Sequence, residues 1–272
     1  MKTSVRCVAY AALALLAMPA AHAADTTPGM SLTDALAVLH AHRFIDLTHS
    51  FAPGIPHWKG APNETIKILY TVPKDGFLIQ EFCHIGQWGT HIDAPAHFHE
   101  GLRSVDQIDP TEMLMPLVVI DVHDKVAANP DYVLSVSDIT AWEQHHGRIP
   151  KGAFVAMRTD WSKRWPDNAA LANHKADGAD HYPGWSLPVL KLLYEERGIT
   201  ASGHETTDTD PGAATTKDDY SLESYILGRN HYQIELLANL DKVPEAGGIV
   251  MVTFPKPQGG SGFPARVVAI VP

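Results

Sequence analysis

Residues 86–101 read GQWGTHIDAPAHFHEG and set Gln87, His91, Asp93 and His97 at spacings of four, two and four. Side chains at even separations along a strand share a face. A regular strand here aims Gln87, Gly89, His91 and Asp93 to one side, the glycine leaving a bare patch between the polar groups. An amide oxygen, an imidazole nitrogen and a carboxylate converging on one point form the ligand set of a catalytic divalent ion with positions left open. Pro95 cannot continue the ladder, so the chain turns there and can bring His97 beside such a site without making it a ligand. A histidine so placed suits a general base, because its pKa lies near working pH. The chain holds 16 histidines, however, and a His-x-Asp pair on a strand is more often a plain side-chain hydrogen bond. Spacing alone leaves both readings open.

Outward from this stretch, FLIQEFCHIGQWGTHIDAP (77–95) reads as one long strand loosened by its glycines and ended by Pro95. FIDLTHSF (44–51) and TIKILYTV (65–72) are strand-like, with the Pro/Gly loop APGIPHWKGAP (52–62) between them carrying Trp58. MPLVVIDV (115–122) and GAFVAMRT (152–159) are short apolar runs bounded by Pro or Gly, the pattern of buried strands. SLTDALAVLHAHRF (31–44) reads as a helix capped by Ser31 with Asp34 three residues on; SVSDITAWEQHH (135–146) and SLPVLKLLYEERG (186–198) are two more, the last closed by Gly198. A polar loop, GHETTDTDPGAATTKDDY (203–220), leads to YILGRNHYQIELLANL (225–240) and the strands GGIVMVTF (247–254) and ARVVAIVP (265–272). Strands and helices alternate without repeat or linker, which predicts a single mixed α/β domain.

The first 23 residues, MKTSVRCVAYAALALLAMPAAHA, have a basic head at Lys2 and Arg6, an apolar run from Val8 to Met18 and small residues at Ala21 and Ala23. That is a secretory signal with cleavage after Ala23, followed by a loose leader over 24–30 and the folded domain over 31–272. The apolar run falls short of the ~20 residues of a membrane span. The mature chain is therefore expected to be exported, to a bacterial periplasm. Cys7 leaves with the signal and Cys83 stands alone, so an ordinary core must stabilise the fold without a disulfide. Removing Lys2 and Arg6 leaves 19 basic residues against 31 acidic ones, a formal charge of −12. Such a surface repels nucleic acid and anionic lipid, which leaves a small molecule as the expected partner.

GTHIDAPAHF (89–98) resembles the Gly-Thr-His-x-Asp-x-Pro-x-His motif of the cyclase family of metal-dependent hydrolases, which includes enzymes of the kynurenine formamidase, isatin hydrolase and trans-dienelactone hydrolase types. HSFAPGIPHWKGAP (49–62), GITASGHETTDTD (198–210), ELLANLDKVPEAG (235–247) and GGSGFPARVVAIV (259–271) are similar to further segments of that family. The resemblance implies a swivelling β/β/α-type domain, a pocket wall at Trp58, metal ligands at Gln87, His91, Asp93 and Glu235, and substrate orientation or support of the metal by His204 and Glu205. It also implies a dimer or tetramer. Two departures stand out. Kynurenine formamidases have histidine where this chain has Gln87, and they pair the glutamate at position 235 with a histidine twelve residues earlier, where this chain has Glu223. His231 lies nearby but out of register. Together these point to one ion rather than two, and the amide oxygen at Gln87 shifts preference from Zn²⁺ toward Mn²⁺.

The implied reaction is hydrolysis of an amide or cyclic ester of a small, flat carbonyl compound, with His97 moving the proton. Two rivals remain at this point: a binding protein without turnover, and an iron dioxygenase using His91, Asp93 and His97 as a facial set. A serine hydrolase is disfavoured by the lack of a Gly-x-Ser-x-Gly elbow.

Overall fold

The computed structural model describes residues 29–272, so the expected signal and most of the leader lie outside the described residues. The described residues 29–39 fall in one unit and His40–Pro272 form another. In the first, Ser31 caps the helix Leu32–His40, accepting from the Asp34 backbone N–H at 3.1 Å.

Eleven strands make up the second unit: β1 (Arg43–Asp46), β2 (Thr65–Tyr70), β3 (Ile79–Cys83), β4 (His91–Asp93), β5 (Leu114–Asp121), β6 (Phe154–Arg158), β7 (Ala201–His204), β8 (Tyr232–Glu235), β9 (Gly248–Thr253), β10 (Gly262–Pro264) and β11 (Arg266–Val271). Nine form one sheet in the order β1-β11-β9-β5-β6-β7-β8-β4-β10. Its centre, β5 to β8, is parallel, and every other pairing is antiparallel. The apolar runs of β5 and β6 fit this place, since parallel strands are buried on both faces. Leu117, Val119, Phe154 and Ala156 join one core cluster, while Val118, Ile120, Val155 and Met157 join the other. The second cluster lies under the helices, with Ile139 and Trp142 from Val136–His146, Val189 and Leu190 from Leu187–Lys191, and Ile226 from Ser221–Gly228. On the other face the sheet curls on itself. Ala238 N–H donates to the Leu47 carbonyl at 2.9 Å and Leu47 N–H to that of Val267 at 2.9 Å, drawing the β1 side toward the β8 side. The domain is thus a mixed α/β fold, as the alternation of elements predicts.

The long strand over 77–95 does not form. It divides into β3, which pairs only with β2 in a separate two-stranded hairpin, and β4, which begins at His91. Between them the chain turns at Trp88, whose N–H donates to the Gly86 carbonyl at 3.0 Å, and Gly89 sits at φ +62°. That left-handed conformation suits glycine, and a Cβ there would lie 3.0 Å from that of Phe51.

Candidate metal centre and cavity

β4 lies antiparallel between β8 and β10, with His91 opposite Glu235, Ile92 opposite Ile234 and Asp93 opposite Gln233. Directly opposed residues share a face, and the faces alternate. Ile92 and Ile234 therefore enter the core inside the curl, and His91, Asp93, Gln233 and Glu235 project together on the other side. Each is buried.

The His91 ring fixes the character of this cluster. Its Nδ1 lies 2.8 Å from the Gly89 carbonyl, which can only accept, so Nδ1 carries the proton. Nε2 of the neutral ring is then a lone pair, and it faces Asp93 Oδ2 at 3.5 Å and Glu235 Oε2 at 3.6 Å. With the Glu235 carboxyl ionised, three electron-pair donors face one another there. A cation satisfies all three, and a ring whose other nitrogen is held by a backbone carbonyl is a typical oriented ligand.

A second trio shares Asp93. Its Oδ1, buried without a hydrogen-bond partner, lies 3.9 Å from His97 Nε2, and the Glu223 carboxylate joins them to form a group of ligating atoms lying within 4.8 Å of one another. His97 stands on the 3₁₀ turn Pro95–His97, 32% exposed. Glu223 comes from the first turn of the Ser221–Gly228 helix, where Asp210 accepts the backbone N–H groups of Leu222 and Glu223 at 2.9 and 3.0 Å. His91 and His97 fall in different trios, with Asp93 common to both.

The charge state tells the same story. Asp93, Asp208, Glu223 and Glu235 line one cavity of about 610 Å³, and among the described residues no lysine or arginine lines it. Burial pushes the Glu235 and Glu223 carboxyls well above the usual range, and the Asp93 charge adds to both. Burial likewise raises Asp208. For Asp93 itself, burial is outweighed by His91, His97 and the Gln233 amide, which hold the carboxyl below its usual value. Burial opposes the His91 imidazolium, but the Asp93 charge and hydrogen bond more than offset it and raise the ring's pKa. A carboxylate-rich wall without a cationic side chain fits a divalent ion.

The remaining expected residues divide. Gln87 lines the cavity, though through the Gly89 turn rather than a strand, and its Nε2 donates to Ser261 Oγ at 3.4 Å. Trp58 lines it too, its Nε1–H donating to the Tyr220 hydroxyl at 3.3 Å. His204 does not reach the cavity. It is fully buried, its Nδ1 accepts from Trp185 Nε1 at 3.2 Å, and its Nε2 lies 3.4 Å from Glu235 Oε1 without forming a hydrogen bond. Burial drives its pKa down to about 3, so it is a neutral ring set behind Glu235 rather than a substrate contact. Glu205 turns away, accepting from Thr159 N–H and Oγ1 at 2.6 and 2.8 Å. His231 lies at the far end of β8's face, about 13 Å from Glu235 along the strand at ~3.3 Å per residue, and its Nδ1 donates to the Thr200 carbonyl at 2.9 Å.

Sequence reading missed Gln233, Asp208, Tyr220 and His57, and took Glu223 only as a departure. Gln233 was within reach of parity, two residues before Glu235. Its Nε2 donates to Glu235 Oε1 at 3.0 Å and to Asp93 Oδ2 at 3.4 Å, separating two carboxylates.

The chain matches the model of a family described as putative cyclase over residues 45–211. It is 35% identical over 221 residues to an isatin hydrolase of Roseibium aggregatum, a match covering 79% of this chain and 83% of that protein. Its fold is similar to isatin hydrolase A of Ralstonia solanacearum, with a TM-score of 0.82 at 35% identity over 91% of this chain and 100% of the other. An isatin hydrolase bound to the product analogue thioisatinate gives 0.81 at 31% identity over 89% and 100%.

Proposed function

Because the chain belongs to the putative cyclase family and is a hydrolase, we propose that it opens a flat cyclic amide such as isatin by adding water across the ring C–N bond. The observation that carries this reading is the His91 Nε2 lone pair facing Asp93 and Glu235 at 3.5 and 3.6 Å. A divalent ion held by His91, Asp93 and Glu235, with Gln87 at its edge, would supply Lewis acidity toward the carbonyl and toward water. Two carboxylates and an amide oxygen against one imidazole make a hard donor set, which favours Mn²⁺ over Zn²⁺. One ion is proposed rather than two, since His97 is then free to act on protons.

His97 takes a proton from water as the water oxygen bonds to the carbonyl carbon. It returns that proton to the ring nitrogen as the C–N bond breaks, leaving a free amine and a carboxylate with one proton released to solvent. Asp93, held ionised, faces the His97 ring with Oδ1 3.9 Å from Nε2, where its charge favours the protonated ring. Trp58 offers a flat apolar wall to a planar substrate, and its bond to Tyr220 ties the wall to the segment leading into the Glu223 helix.

The test is turnover of isatin, a fused lactone and a formanilide by protein supplied with Mn²⁺, followed by the absorbance change on ring opening or by product analysis. The reading expects isatin to be hydrolysed fastest. Lactone turnover with isatin untouched would overturn the amide assignment. Export is proposed alongside, and N-terminal sequencing of protein recovered from the producing cells would show a chain starting at Ala24.

A further inference from the structure

Alternation along β8 breaks one residue past Glu235. In a regular strand Ile234 and Leu236 would share the core face, with Glu235 on the other. Instead Ile234 and Leu237, three positions apart, join one core cluster, while Glu235 and Leu236 both line the cavity. The cause is Leu236 itself, whose φ of +54° lies in the left-handed region that a leucine side chain disfavours. An extra left-handed residue of this kind re-aims its neighbours. Three hydrogen bonds hold the turn. Leu236 N–H donates to the Thr206 carbonyl at 3.2 Å, Leu237 N–H donates to that of His204 at 2.8 Å, and the Leu236 carbonyl accepts from the Thr90 hydroxyl at 2.6 Å. Leu237 then fills the space that Gly203 leaves open, since a Cβ on Gly203 would lie 2.8 Å from Leu237 Cδ1.

We propose that Thr90 is a positioning residue, its hydroxyl clamping the left-handed turn at Leu236 so that Glu235 faces His91 and Leu236 walls the cavity beside it. The proposal deepens the metal reading and rests on it. Thr90 is buried, and it directly precedes His91. Its carbonyl accepts the Ala265 N–H at 2.8 Å, which pins its backbone to the link between β10 and β11. Its hydroxyl is fixed in direction as well. A backbone N–H can only donate and a carbonyl can only accept. The oxygen therefore takes the His49 N–H at 3.0 Å and gives its own proton to Leu236. Segments following β1, preceding β4 and following β8 thus meet at one oxygen atom. Backbone strain persists where its surroundings over-determine it, and sites of chemistry are where it collects. Valine at position 90 would keep the shape of the side chain and lose both bonds, leaving the turn to relax and carry Glu235 with it.

Calorimetric titration of Mn²⁺ into the chelator-stripped full chain reads the effect without turnover. Thr90→Val should weaken Mn²⁺ binding about 10- to 100-fold, the usual loss when support behind a ligand is removed, and Thr90→Ser should bind as wild type does. Ser202→Ala is the control for a purely structural role. It removes another fully buried hydroxyl of the same sheet, bonded to Tyr194 at 2.8 Å, and should lower Tm without changing Mn²⁺ affinity. Glycine takes a positive φ without strain, so in a Leu236→Gly background the same Thr90→Val change should weaken binding by less than about twofold, the margin for uncoupled sites. Wild-type affinity in Thr90→Val, an equal loss of affinity in Ser202→Ala, or an undiminished Thr90→Val effect in the Leu236→Gly background would each overturn the proposal. If Thr90→Val alone does not fold, the double variant should fold and bind Mn²⁺; its failure to fold would make the hydroxyl a general requirement of stability and overturn the proposal too. A wild type that binds no Mn²⁺ would overturn the metal reading and the clamp with it, a result distinct from wild-type and Thr90→Val proteins that bind the ion equally.

Discussion

Gly262 of β10 lies opposite Asp93, and an alanine there tests how tightly the strands set the site. The added Cβ would stand 2.6 Å from the Ile92 carbonyl oxygen and 2.9 Å from Gln87 Cδ. The Gln87 side chain can swing aside. The Ile92 carbonyl is backbone and must retreat by about 0.8 Å to reach the 3.4 Å of an ordinary contact, carrying His91 and Asp93 with it. Displacements near 1 Å at reacting groups cost on the order of 100-fold in rate. The overpacking itself should cost ~1–3 kcal/mol, or roughly 2–12 °C in Tm for a chain of this size. Steady-state kinetics on isatin with Mn²⁺ in excess, beside a thermal melt, measures both. Gly262→Ala with wild-type kcat/KM and Tm would refute the claim that backbone contact between β10 and β4 fixes the ligand geometry.

Three further outcomes are expected. His97→Ala should lower kcat by ~10²–10⁴-fold and leave metal content unchanged; equal loss of metal would make His97 a ligand. Trp58→Ala should raise KM for a planar substrate about tenfold, from a lost ring contact of ~1–1.5 kcal/mol, with kcat within ~3-fold of wild type; a fall in kcat alone would remove Trp58 from the binding wall. In chelator-stripped protein, the raised folded pKa of Glu235 gives a stability contribution that is full below the unfolded value of 4.5 and is lost as pH climbs toward the folded one. Its slope is at most ~1.4 kcal/mol per pH unit, so the stripped protein should melt lower at pH 8 than at pH 5.5. Glu235→Gln should flatten that slope and raise Tm at pH 8. A stripped wild type that gains stability across this range would contradict the charge crowding.

The parts of the fold and site that were legible in sequence are those set by local period. β5, β6, β9 and β11 follow apolar runs, and His91 and Asp93 share a face because β-strands alternate. Gln87 reaches the cavity for a different reason, since the left-handed turn at Gly89 breaks the period on which its placement rested. Gly262 is a close-approach position: a Cβ on Gly86 would lie 2.9 Å from Gly262 C. Both glycines answer to a tertiary contact that no local pattern encodes. The place of Glu223 was not legible for the same reason, because its nearness to Asp93 depends on the Asp210 bonds and on how its helix packs. The similarity of HETTDTD to a family loop drew His204 toward the substrate, whereas full burial places it behind Glu235. The β2–β3 arm was legible as strands but not as a separate sheet, since pairing partners are a long-range choice.

The central claim is a divalent ion gripped by His91, Asp93 and Glu235, and elemental analysis of active protein tests it most directly. The account predicts about one divalent ion per chain, activity lost on chelation and restored by Mn²⁺, and no bound ion in a folded Asp93→Ala variant. A fully active preparation without any such ion, or an Asp93→Ala protein that keeps it, would contradict the account.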